Sequence, residues 1–419
     1  MNIGPDRSGA IKIRAEPARS CRTVLGVSLL MLLSGLARTD WLSGPAPAYR
    51  VAVQLIQAGQ FDTRVYDDDW YSAQVFAETK GAVADILSPS PPTLPLLLWP
   101  IGWFSGPTLN ALWAAANLGA VFLAIQLSLA ALKQPTPVSG LSFILIGAVT
   151  MISAPLHEDI ARGQIYIFVL LLHAIVFWAV LQDHDALGGI GLGLLLALKL
   201  NGLPIWIVLI SLRRWRVLKW AVVCTVAVIM ISLLVTSMDV WRVYVTRTLP
   251  GSVTSPTVAV TAYQTINGFF QHLFRFDPAW NPSPLFDAPG LAALASIVIS
   301  IGLVAITWLR ANRLHLSLAL GAAAVLSVVL SPLAEQYHFL VLMAPVTVMV
   351  AGWSRFNFRA WAWFALAIAL IVLPLPYKSP ELASGPLALL AYPRLYGALI
   401  VWALLVFQNR GSVANDYAG

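Results

Sequence analysis

Arg162 and Gln164, in Ala161-Arg162-Gly163-Gln164-Ile165, stand at the lip of an apolar run in a chain made almost wholly of such runs. Lys199 interrupts another, in Leu198-Lys199-Leu200-Asn201-Gly202-Leu203-Pro204. His338 ends Leu330-Ser331-Pro332-Leu333-Ala334-Glu335-Gln336-Tyr337-His338. A guanidinium binds phosphate through two parallel hydrogen bonds. A lysine inside an apolar span is costly enough to imply a functional partner. His338, beside Glu335 and Gln336, can donate to a phosphate or tune a carboxylate. Glu158 and Asp159, in His157-Glu158-Asp159, can orient a hydroxylated ligand or pair with Arg162. Gln164 can offer its amide to ligand hydroxyls or to the start of its helix. Asp67-Asp68-Asp69 can supply a general base or hold a hard divalent cation. Such groups at a lipid–water boundary suit an enzyme or a transporter.

Each group also has a plainer reading. Arg162 and Lys199 can snorkel to lipid headgroups. The three aspartates can be a solvated turn and His157-Glu158-Asp159 a hydrated loop. His338 can be a packing residue at a helix mouth.

The elements that must position these groups are helices in lipid. Of 419 residues, 58% are hydrophobic and only 11% charged, and the mean hydropathy is +0.77. Soluble domains carry about 25% charged residues, and no globular interior of this size could hide so much apolar surface. The sixteen Trp suit the membrane interface. The net charge of +7 does not imply nucleic-acid binding, because the basic residues sit in short clusters between apolar runs. Two cysteines, Cys21 and Cys224, make no disulfide framework.

The pattern predicts an all-α polytopic membrane protein of about 12 spans, within a range of 10 to 13. They are placed near 22–38, 108–132, 139–155, 164–182, 186–200, 202–212, 218–237, 291–310, 315–331, 338–353, 360–376 and 386–407. The short run Leu94 to Phe104, broken by Pro95 and Pro100, is read as re-entrant or interfacial. Residues 1–22 form a basic cytoplasmic segment, 23–407 a single membrane domain and 408–419 a cytoplasmic tail. The first helix is expected to be retained rather than cleaved as a signal peptide. Arg213, Arg214, Arg216 and Lys219, with Arg310/Arg313, Arg355/Arg359 and Arg410, belong inside by the positive-inside rule. That requires the chain to reverse at Asn201-Gly202, as two short spans rather than one long helix. Two long outer loops follow, the acidic 39–90 and the aromatic-rich 239–290.

Several short motifs stand in a set order along this frame. They are Gly59-Gln60-Phe61-Asp62 with Tyr66, Ser90-Pro91-Pro92, Gly163-Gln164, Lys199, Asn267-Gly268, and Ser331-Pro332 with His338. In order and spacing they resemble glycosyltransferase family 87, the polyprenol-phosphate-mannose-dependent mannosyltransferases of the GT-C superfamily. The resemblance spans roughly residues 40 to 350 and implies a GT-C-like helical bundle with long extracytoplasmic loops.

It further implies a polyprenyl-phosphate sugar donor, mannose being the expected hexose. The acceptor would be a glycolipid or glycan, met on the extracytoplasmic face of the cell membrane. The family's base is an Asp in the first outer loop, a few residues before a Tyr. Here Tyr49 follows Gly44-Pro45-Ala46-Pro47-Ala48, with no acid, and Asp40 lies nine residues before it. Asp40 is the expected catalytic base, with Asp67, Asp68 and Asp69 as alternatives. Glu158, Asp159, Arg162, Gln164, Lys199 and His338 are the expected substrate-binding residues, Arg162 as phosphate clamp. Inverting transfer needs the carboxylate to take the acceptor proton and cationic donors to hold the departing phosphate. Neither a metal nor a cofactor is expected. The alternative is a transporter or flippase of a lipid-linked sugar, for which the broken helices around Asn201-Gly202 and Pro204 would suit a midplane site.

Overall fold

The computed structural model describes residues 46–131, 140–351 and 357–407. The expected first span at 22–38, Asp40, Cys21, Arg355, Arg410 and the tail after 407 lie outside the described residues.

Among the described residues the chain is helical throughout, with one isolated bridge between Asp277 and Asn281. Short helices come first: α1 (Pro47–Gln57), α2 (Asp68–Glu78) and α3 (Thr93–Leu97). Then follow α4 (Gly106–Ala130), α5 (Gly140–Met151), α6 (Ala154–Ala161), α7 (Tyr166–Leu181), α8 (Asp185–Lys199), α9 (Leu203–Ser211) and α10 (Trp215–Val235). The next segment holds α11 (Met238–Val243), a π-helical turn (Tyr244–Thr248), α12 (Leu249–Thr254) and α13 (Ile266–Phe274). The last group is α14 (Pro289–Ala311), α15 (Leu316–Val329), α16 (Met343–Ala351), α17 (Phe358–Val372) and α18 (Pro393–Val406).

A helix that is apolar all round must be buried in protein or bathed in lipid, and both kinds occur here. Every residue of α15 from Ser317 to Val329 is buried, so α15 is the central post. On α14 only Ala292, Ser296, Thr307 and Ala311 are buried, while Leu294, Ile297, Val298 and Ile301 face outward. Helix α10 likewise turns Val222, Val226, Met230 and Leu234 outward. Such bands are too large and apolar for a water-exposed surface.

Among the described residues three helices are long and apolar enough to cross a membrane, namely α4, α10 and α14. Gly385–Ala391 with α18, bent by 53°, would make a fourth. Other helices stand near the expected spans but are shorter. Those of 9 to 16 residues, such as α9 and α7, extend only about 13 to 24 Å, less than the hydrocarbon thickness of about 30 Å. Helix length therefore does not give twelve full crossings. Within the described parts of the two stretches expected as long loops, apolar and capping residues support the short helices α1, α2, α11, α12 and α13. Asp67 caps α2 through the Trp70 N–H at 3.1 Å, and Thr265 caps α13 through the Gly268 N–H at 2.9 Å.

The reversal near residue 201 is present. Leu200 (φ 49°) and Gly202 (φ 85°) turn the chain between α8 and α9, and Pro204 starts the second helix. A Cβ on Gly189 would meet the Val217 carbonyl oxygen at 2.4 Å, and one on Gly193 the Ala221 carbonyl oxygen at 2.7 Å. The two contacts ascend together, so α8 and α10 run parallel in near backbone contact, the packing that small residues allow. Helix α9 must return between them.

The ends of this unit differ in chemistry. At the start of α8, Asp183 pairs with Arg214 at 2.8 Å. The end of α9 meets the end of α14 there, Asn312 Nδ2 donating to Ser211 Oγ at 3.2 Å. Arg213, Arg214 and Arg310 therefore gather at one end. Lys199 lies at the other, about 21 Å along α8 from Asp185.

Candidate functional site

Lys199 ends α8 where the backbone reverses. Its Nζ donates to Ser90 Oγ at 2.9 Å and lies 5.0 Å from the Tyr49 ring centroid and 5.9 Å from that of Tyr166. Thr93 Oγ1 donates to the Ala197 carbonyl, which fastens the Ser90-Pro91-Pro92 turn and α3 to the same end of α8. Two further phenols hold this turn. Tyr66 donates to the Ser90 carbonyl at 3.0 Å and Tyr244 to the Pro89 carbonyl at 3.3 Å.

Gly163 (φ 59°) makes the turn between α6 and α7 and so places Gln164. Gln164 is buried, and its Oε1 accepts from the Tyr49 hydroxyl of α1. His338 packs among aromatic rings, 3.9 Å from Tyr166 and 4.6 Å from Tyr337 by ring centroids. Its Nδ1 accepts the Glu335 N–H at 3.1 Å, which puts the proton of the neutral ring on Nε2 and leaves that nitrogen a donor.

These side chains share the wall of one cavity of about 360 Å3. Asp85, Ser90, Gln164, Lys199, Glu335 and His338 line it, together with Tyr49, Ser331 and Pro332. Ser90, Gln164, Lys199, Ser331-Pro332 and His338 thus converge, whereas Asn267-Gly268 does not line the cavity. Burial lifts the Asp85 carboxyl above its usual range, opposed by the hydrogen bond from Ile86 N–H and the charges of Lys199 and Arg162. Burial also lifts Glu335, opposed by Arg162 and Lys378.

Arg162 stands behind this wall in an ionic cluster. It pairs with Glu158 at 3.0 Å and with Glu335 at 3.3 Å, and Lys378 reaches the same two carboxylates at 3.2 and 3.8 Å. The cluster joins α6, the segment before α16 and the turn after α17.

The other expected residues lie elsewhere. Asp159 is fully buried and outside the cavity wall. Its Oδ1 accepts the Tyr166 N–H at 3.0 Å, so it braces the Gly163 turn. Burial pushes its carboxyl up to about 8. Asp67 and Asp68 line a second cavity, of about 490 Å3, next to the first, and Asp69 lines neither. Among the described residues no three His, Cys, Asp or Glu side chains come together as a metal-binding group.

Sequence reasoning missed Asp85, Tyr49, Ser90, Glu335 and Lys378 as site residues. Asp85 had a usable signal, since it is the acid nearest to Ser90-Pro91-Pro92. Lys378 had none, because its partners lie far away in the chain.

The chain is similar to the polyprenol-phosphate-mannose-dependent alpha-(1-2)-phosphatidylinositol pentamannoside mannosyltransferase of Mycobacterium tuberculosis (strain CDC 1551 / Oshkosh). The two are 22% identical over 386 residues, which cover 90% of this chain and 84% of the relative. No solved structure matches the chain. The family model for glycosyltransferase family 87 matches residues 90–332, more than half of the sequence. That segment includes Ser90, Gln164, Lys199, Ser331 and Pro332 of the cavity wall, and the long apolar helices fit a membrane protein. The chain is an enzyme and belongs to glycosyltransferase family 87.

Proposed function

We propose that this protein moves a mannosyl residue from polyprenyl-phosphate mannose to a hydroxyl of a glycolipid or glycan acceptor, with inversion. The observation that carries the reading is the meeting of a carboxylate, Asp85, and an ammonium, Lys199, in one cavity. The donor class follows the mycobacterial relative, whose name specifies polyprenol-phosphate mannose. A transporter or flippase is disfavoured by membership of a glycosyltransferase family.

Asp85 takes the proton of the acceptor hydroxyl as its oxygen bonds to the anomeric carbon. The bond from that carbon to the phosphate oxygen breaks on the opposite side, and the polyprenyl phosphate leaves carrying the extra charge. Lys199, Ser90 and the Nε2–H of His338 stabilise that charge. Gln164 and Tyr49 hold sugar hydroxyls. Arg162 acts through Glu335 and Glu158 as a positioning residue rather than as the clamp itself. The basic residues gather at the far end of α8, so the positive-inside rule puts them in the cytoplasm and the cavity on the extracytoplasmic side.

Purified protein in lipid nanodiscs, given labelled polyprenyl-phosphate mannose and a phosphatidylinositol mannoside, should transfer label. Asp85→Asn should lower transfer by about a hundredfold to ten-thousandfold while donor still binds. Full activity in Asp85→Asn with loss in Asp40→Asn would return the base to Asp40. A protein that never consumes the donor would refute the reading as a whole.

A further inference from the structure

The second cavity differs from the first in chemistry. Asp67, Asp68, Arg64 and Arg247 line it among threonine and serine hydroxyls, including Thr257 and Ser255. It shares Ile86, Ser88, Pro89, Ser252, Tyr263 and Leu333 with the first cavity. The partition between them therefore begins one residue after Asp85. Tyr66 and Tyr244 pin that partition and pack on each other at 5.5 Å between ring centroids.

Two features suggest that this chamber is built for a ligand. Arg247 projects from the π-helical turn Tyr244–Thr248, a departure from α-helical winding that is frequent at functional sites. Among the described residues its guanidinium has no hydrogen bond or ion pair, whereas Arg64 is held by Asp62 at 2.6 Å. The volume of about 490 Å3 lies in the range of small-ligand sites.

The charges identify the kind of ligand. Two guanidinium and two carboxylate groups line the chamber, so it has no net preference for an anion. Asp67 and Asp68 would repel a phosphate, while mixed donors and acceptors with hydroxyls and a tyrosine ring suit neutral polyols. Asp68 is exposed at the edge of the chamber, so its carboxylate is open to a ligand hydroxyl.

We propose that this second chamber is the acceptor subsite and takes the uncharged sugar end of the acceptor. The inference rests on the donor occupying the first cavity. A sugar held between Arg247 and Asp68 sits across the partition from Asp85, and its hydroxyl would reach that carboxylate between Ile86, Ser252 and Tyr263.

The test uses full-length protein in nanodiscs, labelled polyprenyl-phosphate mannose and octyl α-D-mannoside as acceptor probe. Arg247→Ala should raise the KM for octyl mannoside by about tenfold to a hundredfold, as for loss of a charge-assisted hydrogen bond. The donor KM should stay within about twofold on the same scale, and Arg247→Lys should recover part of the loss. Arg247 is exposed, so its replacement should not prevent folding. Thr257→Val should shift the same constant in the same direction. An unchanged acceptor KM, or a donor KM that rises instead, overturns the assignment. Wild-type protein that consumes donor but leaves octyl mannoside unmodified also overturns it. Wild-type protein that never consumes donor refutes the donor reading instead.

Discussion

Lys199 and Ser90 are 109 residues apart in the chain, and Nζ of the first donates to Oγ of the second at 2.9 Å. The bond joins the end of α8 to the turn before α3 and holds the ammonium at the cavity wall. Lys199→Met should lower kcat/KM for the lipid-phosphate donor by about tenfold to a hundredfold, the effect of one lost charge-assisted hydrogen bond. Steady-state donor consumption measures it. Ser90→Ala should cost less, because the charge stays.

The pH dependence follows from Asp85. A general base works only when ionised, so the rate rises as pH passes upward through its pKa. Burial raises that pKa, so the acid limb of kcat/KM should lie above the usual carboxylate value of about 4. A pH–rate profile of the wild type, set against the residual activity of Asp85→Asn, checks it. A limb that persists unchanged in the variant would assign it to another group.

Asp159 predicts a stability effect with the opposite pH trend. Its folded carboxyl titrates at about 8, above the unfolded value. Stability is therefore full below the unfolded pKa and is lost as pH rises through the folded one. Asp159→Asn keeps an oxygen for the Tyr166 N–H but removes the ionisation. Its melting temperature should fall less than that of the wild type between about pH 5 and about pH 9. Parallel melting curves would argue against a buried, neutral Asp159.

Arg162 and Glu335 should be energetically coupled. A cycle of Arg162→Ala, Glu335→Gln and the double variant, followed by chemical denaturation, should give a coupling of about 0.5 to 1 kcal/mol. Arg162 is 47% exposed, which limits the gain by solvent screening. Additive single effects would dissolve the pair.

Helices α8 and α10 leave no room at Gly189, where a new Cβ would meet the Val217 carbonyl at 2.4 Å. Gly189→Leu should destabilise by about 1 to 3 kcal/mol or more, the cost of overpacking. Monodispersity and thermal stability in detergent measure it. Wild-type stability in this variant would mean that the helices are not in such close contact.

The sequence by itself determined the helical, lipid-solvated class, because no other solvent accepts so many uninterrupted apolar runs. It also located the helix break at Asn201-Gly202, because positive φ and Pro leave local marks. The order of Ser90, Gln164, Lys199 and Ser331-Pro332 was enough to suggest glycosyltransferase family 87. Only the tertiary structure decided that Asp85 shares a wall with Lys199 and His338, that Asp159 is an internal brace, and that Arg394 lies fully buried. That arginine donates to Gln336 Oε1 and to the carbonyls of Leu370 and Leu373. Periodicity records which residues avoid water along one helix, but not which helices meet. A carboxylate in the stretch Ala82 to Ser90 reads as solvated until Ser90 is bound to Lys199 and the turn folds over the cavity. The chemistry of the site comes from contacts between residues far apart in the chain, and no local pattern records those.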